Sequence, residues 1–229
     1  MLVITHLTPG GSPMATIVAE KVRTTRMTAE NRRQQIVTVA AELFSKKGFN
    51  GTTTKEIAEV ARVSEAIIFR HFPKKDTLYS AIIDYKTRQS SERIKAHLKE
   101  AASRKDDRAF FGALAYDLLD VHLKDPALMR LLMFSALEGH ALSEMFFQST
   151  ARECRDHVRR YIKQRGSDGA FREMDSTVCA RAFVGMILHH VLVRVLYKDT
   201  SCDDIKLSTR QIADRMVDLF LHGVQKRSN

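Results

Sequence analysis

Apolar residues recur at intervals of three and four along most of the chain, which is the spacing of one face of an α-helix. No stretch keeps the strict apolar-polar alternation that is typical of a half-buried β-strand. The first well-defined stripe lies between residues 31 and 48 and consists of Ile36, Val39, Ala40, Leu43 and Phe44. The pattern therefore predicts an all-α protein.

Residues 53 to 72 predict two short helices joined by a tight turn. Thr53 and Glu56 match a capping box, in which the threonine side chain accepts a hydrogen bond from an amide of the first turn. Val63 and Ser64 mark the turn, with Ser64 as the N-cap of the second helix. Such a helix pair can place its second member in the major groove of DNA. An ordinary helical pair inside an all-α core fits the same pattern. The pattern alone therefore does not distinguish a DNA-binding helix pair from a structural one.

Beyond residue 75 the same periodicity predicts six further helices, separated by glycine, proline and polar breaks. These helices span about 76–101, 107–124, 126–137, 141–165, 176–198 and 209–223. Asp175 and the pair Ser208 and Gln211 are expected to cap the last two. The first of the six is long enough to connect an N-terminal domain to a larger C-terminal one.

Positive charge is concentrated around the predicted helix pair. The chain carries 37 Lys and Arg against 27 Asp and Glu, a formal net charge of +10. Residues 21 to 75 hold 12 basic and 5 acidic side chains, a net +7, whereas residues 103 to 229 contribute only +3. A solvated charged face has the same composition, but a basic N-terminal quarter also suits binding to the phosphates of DNA.

The cysteines and the apolar stretches favour a reduced, cytoplasmic protein. Cys154, Cys179 and Cys202 are odd in number and lack a CxxC spacing. Residues 182 to 197 are apolar but contain two histidines and an arginine, and they are fewer than a membrane span needs.

Residues 1 to 27 are expected to form a flexible leader. They lack the basic start and apolar core of a signal peptide, and Met14 offers an alternative start of translation to Met1. Lys21, Arg23 and Arg26 precede the first helix, where they suit either a DNA-reaching arm or a solvated leader.

The order of features between residues 30 and 84 resembles the TetR family of bacterial transcriptional regulators. A helix ending in Gly-Phe is followed by a threonine cluster, Ile-Ala, Val-Ser, aromatic-x-His-Phe and Pro-Lys-Lys-Asp. The resemblance implies a three-helix helix-turn-helix domain at residues 28–75 and a larger helical effector-binding and dimerisation domain at residues 76–229. Beyond residue 84 it is supported only by length and helical pattern.

The resemblance assigns the DNA contacts to the starts of the second and fourth helices and to the third helix. The implied residues are Thr54, Lys55, Glu65, Ala66, Ile67, Phe69, Arg70, His71 and Lys75. Thr54 and Lys55 suit phosphate, and Lys75 matches a phosphate clamp. Glu65 can accept a hydrogen bond from cytosine, and Ile67 can contact a thymine methyl. A solvated acid that the dipole of a helix start favours also explains Glu65.

Two positions depart from the family pattern. Phe69 stands where the family usually has tyrosine, so that the hydroxyl contact to phosphate is absent. Arg62 replaces a glycine of the turn, at a position that can require a left-handed backbone.

The resemblance also implies an effector pocket and a dimer interface in the C-terminal domain. That domain is rich in large, adaptable apolar side chains, and the candidate effector contacts are Phe111, Met133, Phe147 and Met186. The last two helices are too apolar around their circumference for one buried stripe. Their candidate dimer contacts are Val193, Met216, Leu219 and Phe220.

These features predict a cytoplasmic, ligand-responsive regulator: a repressor that binds a palindromic operator as a homodimer and is released by a small, mostly apolar effector. No cofactor, metal or membrane partner is expected. The adjacent His189 and His190 are poorly placed to bind one metal ion, because neighbouring side chains on a helix point about 100° apart. A helical enzyme or carrier is disfavoured because no catalytic motif is found. A non-specific DNA-associated protein is the alternative, and it would bind random and operator DNA alike.

Overall fold

The computed structural model describes residues 27–199, 201 and 206–226. Within these residues the chain forms ten α-helices, with a π-helical segment at Phe147–Ala151. The helices are α1 (Ala29–Lys47), α2 (Thr54–Ala61), α3 (Glu65–His71), α4 (Lys75–Ser103), α5 (Asp107–Lys124), α6 (Ala127–Leu137), α7 (Ala141–Phe146), α8 (Arg152–Ser167), α9 (Ser176–Leu196) and α10 (Thr209–Val224). The predicted leader up to residue 26 and Cys202 lie outside the described residues.

The N-terminal helices begin and end where the side chains can satisfy their free backbone groups. Thr53 Oγ1 accepts a hydrogen bond from Glu56 N at 3.1 Å, as the capping pattern predicts. The Glu56 carboxylate does not complete the box, because it pairs with Lys47. Ser64 is the N-cap residue of α3, but its hydroxyl makes no capping bond. Gly48 ends α1 with φ +74°, a conformation that glycine adopts without a steric penalty.

The C-terminal caps follow the sequence closely. The Asp175 carboxylate accepts hydrogen bonds from two amides of α9, and Ser208 and Gln211 form both halves of a capping box on α10. The predicted helix 141–165 is interrupted, because the π segment separates α7 from α8. Helix α6 starts one residue later than predicted, since Pro126 is its N-cap and Asp125 Oδ1 accepts from Ala127 N at 3.1 Å.

Two hydrophobic cores organise the described residues. The C-terminal core joins α5, α8, α9 and α10 with the second half of α4 and with Met129 of α6. The N-terminal core joins α1, α2 and α3 with the first half of α4, and it also contains Leu128, Leu131, Leu132 and Leu142. Helix α6 therefore contributes to both cores, and α7 contributes Leu142 to the N-terminal one.

Helix α9 is 21 residues long, and its most apolar window has a mean hydropathy of 1.6. By length and composition α9 can cross a membrane. The sequence interpretation considered only residues 182–197, which are fewer than a membrane span needs. Only a third of the most apolar window is buried, although α9 packs against α5 and α8 in the C-terminal bundle. Other residues of this helix, such as Met186, are half-buried against the same bundle, whereas Val178 is 62% exposed.

Candidate DNA interface and effector cavity

The turn between α2 and α3 fixes how the two helices cross. Arg62 adopts the left-handed conformation, with φ 54° and ψ 47°, as its replacement of a turn glycine predicts. Val63 N then donates to Ala58 O at 3.0 Å, which closes α2. A left-handed residue with a Cβ costs roughly 1–2 kcal/mol. The surrounding packing therefore holds this turn at an energetic cost.

Helix α3 presents one face to the core and the opposite face to solvent. Ile68 is buried, while Phe69 is 45% exposed and Ala66 and Arg70 are exposed. Lys55, at the start of α2, is exposed as well. A ring, a small side chain and two cations thus lie on the solvent side of the helix pair, an arrangement that fits the edge of a DNA groove.

Other predicted DNA contacts are engaged within the protein. Thr54 Oγ1 donates a hydrogen bond to Glu65 Oε2 at 3.0 Å, which links the starts of α2 and α3. Ile67 is half-buried and packs on the N-terminal core. His71 is half-buried, and its Nε2 has no hydrogen-bond partner in the part of the chain that the structure describes. Base contact by Glu65 or Ile67 stays a prediction.

Lys75, which the resemblance predicts to clamp phosphate, is engaged within the protein in this conformation, and its phosphate contact stays a prediction. Its Nζ donates to Phe49 O and lies 4.1 Å from the centroid of the Phe49 ring. Burial lowers the pKa of its ammonium group, and the aromatic face and the carbonyl hold it against the end of α1. The neighbouring Lys74 is the exposed cation at this helix start.

A cavity of about 530 Å³ lies between helices α4 to α9. Among the predicted effector residues, Met133 and Phe147 lie in its wall. Most of the wall is hydrocarbon, and it includes Leu98, Met129 and Leu188. A volume of this order suits a small organic molecule.

The other two predicted effector residues do not reach the cavity. Phe111 is fully buried in an aromatic cluster, with Phe183 and Phe220 each 4.9 Å away between ring centroids. Met186 is half-buried against the same C-terminal core. Both were predicted from residue type alone, and the direction of each side chain from its helix decides between core and cavity.

The most deeply buried polar side chain of the cavity wall was not predicted. His122 is only 8% exposed, and its Nδ1 is buried without a hydrogen-bond partner among the described residues. Burial lowers the pKa of His122 to about 4, so that the ring is neutral at pH 7. His97 and Asp117, two other titratable residues on α4 and α5, pair with each other at 2.9 Å. Their helix positions gave no indication of which histidine would face the cavity.

Cys154 also lies in the cavity wall. Burial raises the pKa of its thiol to about 11. The thiol is therefore protonated at pH 7 and is a poor nucleophile.

Glu138, at the end of α6, connects the cavity region with the helix pair. Its Oε2 accepts a hydrogen bond from Phe49 N at 2.9 Å, and its Oε1 accepts one from Asn50 N at 3.3 Å. Both amides belong to the turn between α1 and α2. His140 Nε2 lies 3.0 Å from Asp76 Oδ1, adding a second link from the same segment to the start of α4.

The exposed apolar surface of the last two helices is only partly the predicted one. Leu219 is 69% exposed, and Val178 on α9 is 62% exposed. Val193 and Met216 are half-buried. Phe220 is half-buried as well, with its ring packed against the C-terminal core 4.8 Å from that of Phe183, and its contact with a second copy stays a prediction.

Among the described residues no group of three His, Cys, Asp or Glu side chains is arranged to hold a metal ion.

Two family models match the chain. One, described as bacterial regulatory proteins of the tetR family, matches residues 36–82. The other, described as the AefR-like transcriptional repressor C-terminal domain, matches residues 117–223. The two matches coincide with the helix-turn-helix region and with most of the helices around the cavity.

Similar proteins include the uncharacterized HTH-type transcriptional regulator YvkB of Bacillus subtilis, which is 27% identical over 83% of this chain and 96% of its own length. The nucleoid occlusion factor SlmA of Haemophilus influenzae is 32% identical, but the match spans about half of each protein, 55% of this chain and 56% of SlmA.

Two solved structures share the fold. A TetR-family regulator from Mesorhizobium loti has a TM-score of 0.66 at 19% identity and covers 88% of this chain and all of its own. AibR in complex with isovaleryl coenzyme A and operator DNA has a TM-score of 0.65 at 24% identity, covering 82% of this chain and 97% of AibR. The helix-turn-helix geometry and both family matches lead to one conclusion: this chain belongs to the TetR family of bacterial transcriptional regulators.

Proposed function

We propose that this protein is a repressor that binds a palindromic operator as a cytoplasmic homodimer and leaves it when a small, mostly apolar effector fills the cavity. Its family consists of non-enzymatic transcription factors. The proposal adds the direction of control, the operator symmetry, the oligomeric state and the class of effector.

The main support for effector control of DNA binding is the position of α6 between the cavity and the N-terminal core. Leu128 and Leu132 belong to the N-terminal core and also line the cavity. Because close-packed interiors do not deform gradually, a ligand that displaces α6 also repacks the core on which α2 and α3 rest. An effector therefore has a direct mechanical route to the DNA face.

Glu138 extends that route beyond the core. It is the residue that ends α6, and its carboxylate accepts the two amide hydrogen bonds at the turn between α1 and α2. Movement of α6 along its axis alters these bonds. The equilibrium then shifts between a DNA-competent and a DNA-incompetent arrangement, provided that the effector prefers one of the two.

The dimer is supported by the surface of α9 and α10. Exposed Val178 and Leu219 lie on helices whose other faces are already buried in the C-terminal core. An apolar helix face of this kind is stabilised by a second copy of the same face. Two copies also supply the two recognition helices that a palindrome requires.

A similar fold gives independent support for the two kinds of ligand. The structure of AibR contains both isovaleryl coenzyme A and operator DNA. We infer that the cavity of this chain likewise accepts an organic molecule while the helix pair binds DNA.

The test begins with selection of bound sequences from randomised DNA. The selected operator is expected to be palindromic and to bind at least 1,000-fold more tightly than random DNA, roughly the lower end for specific binding. Release is then measured by fluorescence anisotropy against a library of apolar and amphipathic compounds. Operator DNA must weaken effector binding by the same factor by which the effector weakens operator binding.

A non-specific DNA-associated function is the second candidate, favoured by the net charge of +7 in residues 21–75, since binding to phosphates does not depend on DNA sequence. It predicts no enriched motif in the selection and equal affinity for random and selected DNA. Ligands that bind without any change in operator affinity would also contradict the effector-controlled repressor.

A further inference from the structure

His122 is an unusual component of the cavity wall. It lies on α5 one helical turn after Leu118 and beside Val121, both of which also face the cavity. The side chain is more than nine-tenths buried, and Nδ1 lacks a partner among the described residues. Buried polar atoms in folded proteins are nearly always hydrogen-bonded. His122 is therefore a wall residue whose ring carries hydrogen-bonding capacity that the described residues do not use.

The surroundings of His122 select the kind of group that can bind there. A neutral imidazole offers one N–H donor and one nitrogen acceptor. Leu128, Met129 and Val184 present hydrocarbon to the cavity interior, which does not compensate a full charge.

The cations of the wall have other partners. Lys95 Nζ lies 2.9 Å from Glu153 Oε2, and the Arg155 guanidinium lies 4.4 Å from the centroid of the Phe147 ring. Both side chains are less buried than His122. They can meet a polar end at the edge of the cavity, whereas His122 can meet only an uncharged group inside it.

We propose that His122 is the interior hydrogen-bonding contact of the effector, and that the effector is a mostly hydrocarbon molecule carrying an uncharged hydroxyl or carbonyl group. This inference rests on the proposed function, because it takes the cavity as the effector site. It adds the chemical class of the effector and the residue that discriminates it.

The experiment uses biphenyl and 4-phenylphenol, two rigid probes that differ by one hydroxyl. Their dissociation constants for the full chain are measured by calorimetry in the unmutated protein and in His122→Phe, which keeps a ring of similar size without nitrogens. The ratio of the two constants cancels the hydrophobic contribution that the probes share. The relative preference for 4-phenylphenol is expected to fall about tenfold in His122→Phe, the value of one net hydrogen bond.

Two further variants test whether the effect is due to hydrogen bonding at this position. His122→Gln retains a donor and an acceptor, and it is expected to recover most of the preference. His222→Phe changes an exposed histidine on α10 whose Nδ1 lies 2.7 Å from Asp218 O, and it is expected to leave the ratio unchanged. Thermal melting of each variant shows whether it is folded at the temperature of the measurement.

Three results would overturn the proposal in different ways. An unchanged ratio in His122→Phe removes His122 as the contact, and a loss in His189→Phe instead assigns the contact to another histidine of the wall. Tighter, His122-dependent binding of biphenyl-4-carboxylate contradicts an uncharged group. If neither probe binds the unmutated chain, the cavity itself is not an effector site, and the proposed function fails with it.

Discussion

Helices α3 and α6 are both short, and each buries one side in the N-terminal core, but their other sides face different environments. Ile68 of α3 and Leu131 of α6 belong to that shared core. The opposite side of α3 exposes Phe69 and Arg70 to solvent, whereas α6 turns Met133 toward the cavity. Helix α3 can therefore contact DNA and α6 can contact a small molecule, while both helices pack on the same N-terminal core.

The difference explains how two binding sites can be coupled without a dedicated signalling element. A change in the position of α6 must be accommodated by the core that supports α3, since dense packing leaves little free volume. The Glu138 carboxylate strengthens this dependence, because it bonds directly to the turn that precedes α2. Each prediction below changes one side of this comparison while leaving the other in place.

The largest effect is expected from the surface that brings two copies of α3 together. Leu219→Asp places a charge at the proposed dimer interface, where an uncompensated charge costs roughly 3–5 kcal/mol. Analytical ultracentrifugation should show a dimer for the unmutated chain and a monomer for the variant. Leu137→Asp, the same substitution at an 85% exposed position at the end of α6, is the matched control and should leave the dimer intact. A monomeric unmutated chain at micromolar concentration would contradict the comparison, because a single α3 cannot read a palindrome.

The cavity side of the comparison has a pH dependence that originates in His122. Its pKa is about 4 when folded, against an ordinary value of 6.5. Above pH 6.5 both the folded and the unfolded chains hold a neutral ring. Below it the unfolded chain binds a proton and the folded one resists, so the free energy of unfolding falls as the pH drops toward 4.

His122→Phe removes this contribution. Between pH 6.5 and pH 5 the free energy of unfolding of the unmutated chain should fall by about 2 kcal/mol more than that of the variant. Urea denaturation at the two pH values measures the difference. His157→Phe provides the control, because His157 is more exposed and its Nδ1 lies 2.8 Å from Glu153 O. Parallel pH profiles for the unmutated chain and His122→Phe would show that the ring is not buried in its neutral form.

The DNA side of the comparison is tested by Arg70→Ala. Loss of one exposed cation from α3 should weaken binding to the selected operator roughly tenfold, about 1.4 kcal/mol, without a change in melting temperature.

Lys55→Ala should weaken binding to all DNA sequences alike and lower the dependence of log affinity on log salt concentration by about one unit. Lys75→Ala serves as the contrast, since its ammonium group is held at Phe49 and its loss should reduce stability more than DNA affinity.

The sequence predicts α3 better than it predicts the cavity, for a physical reason. Caps and turns are local: the bond from Thr53, the N-cap position of Ser64 and the left-handed Arg62 all follow from residues within a few positions. The role of Lys75 could not be predicted in this way, because the carbonyl and rings that bind it belong to another part of the chain.

The cavity depends on long-range packing, and composition does not specify it. Met133 and Phe147 reach the wall, whereas Phe111 and Met186, of the same residue types, are placed in the core. Large apolar residues at helical spacing are compatible with either position until six helices are assembled. His122 was missed for the same reason, since its burial is produced by helices distant in sequence.

The smallest effect is expected at the turn that sets the angle between α2 and α3. Arg62→Gly should relieve the left-handed strain, while glycine also increases the entropy of the unfolded chain. The net expectation is a gain in stability of up to about 1 kcal/mol, measured by urea denaturation. Glu59→Gly, in the exposed middle of α2, is the control and should cost about 1 kcal/mol. If Arg62→Gly destabilises as much as Glu59→Gly, the arginine side chain itself supports the turn, and the orientation of α3 depends on more than its buried face.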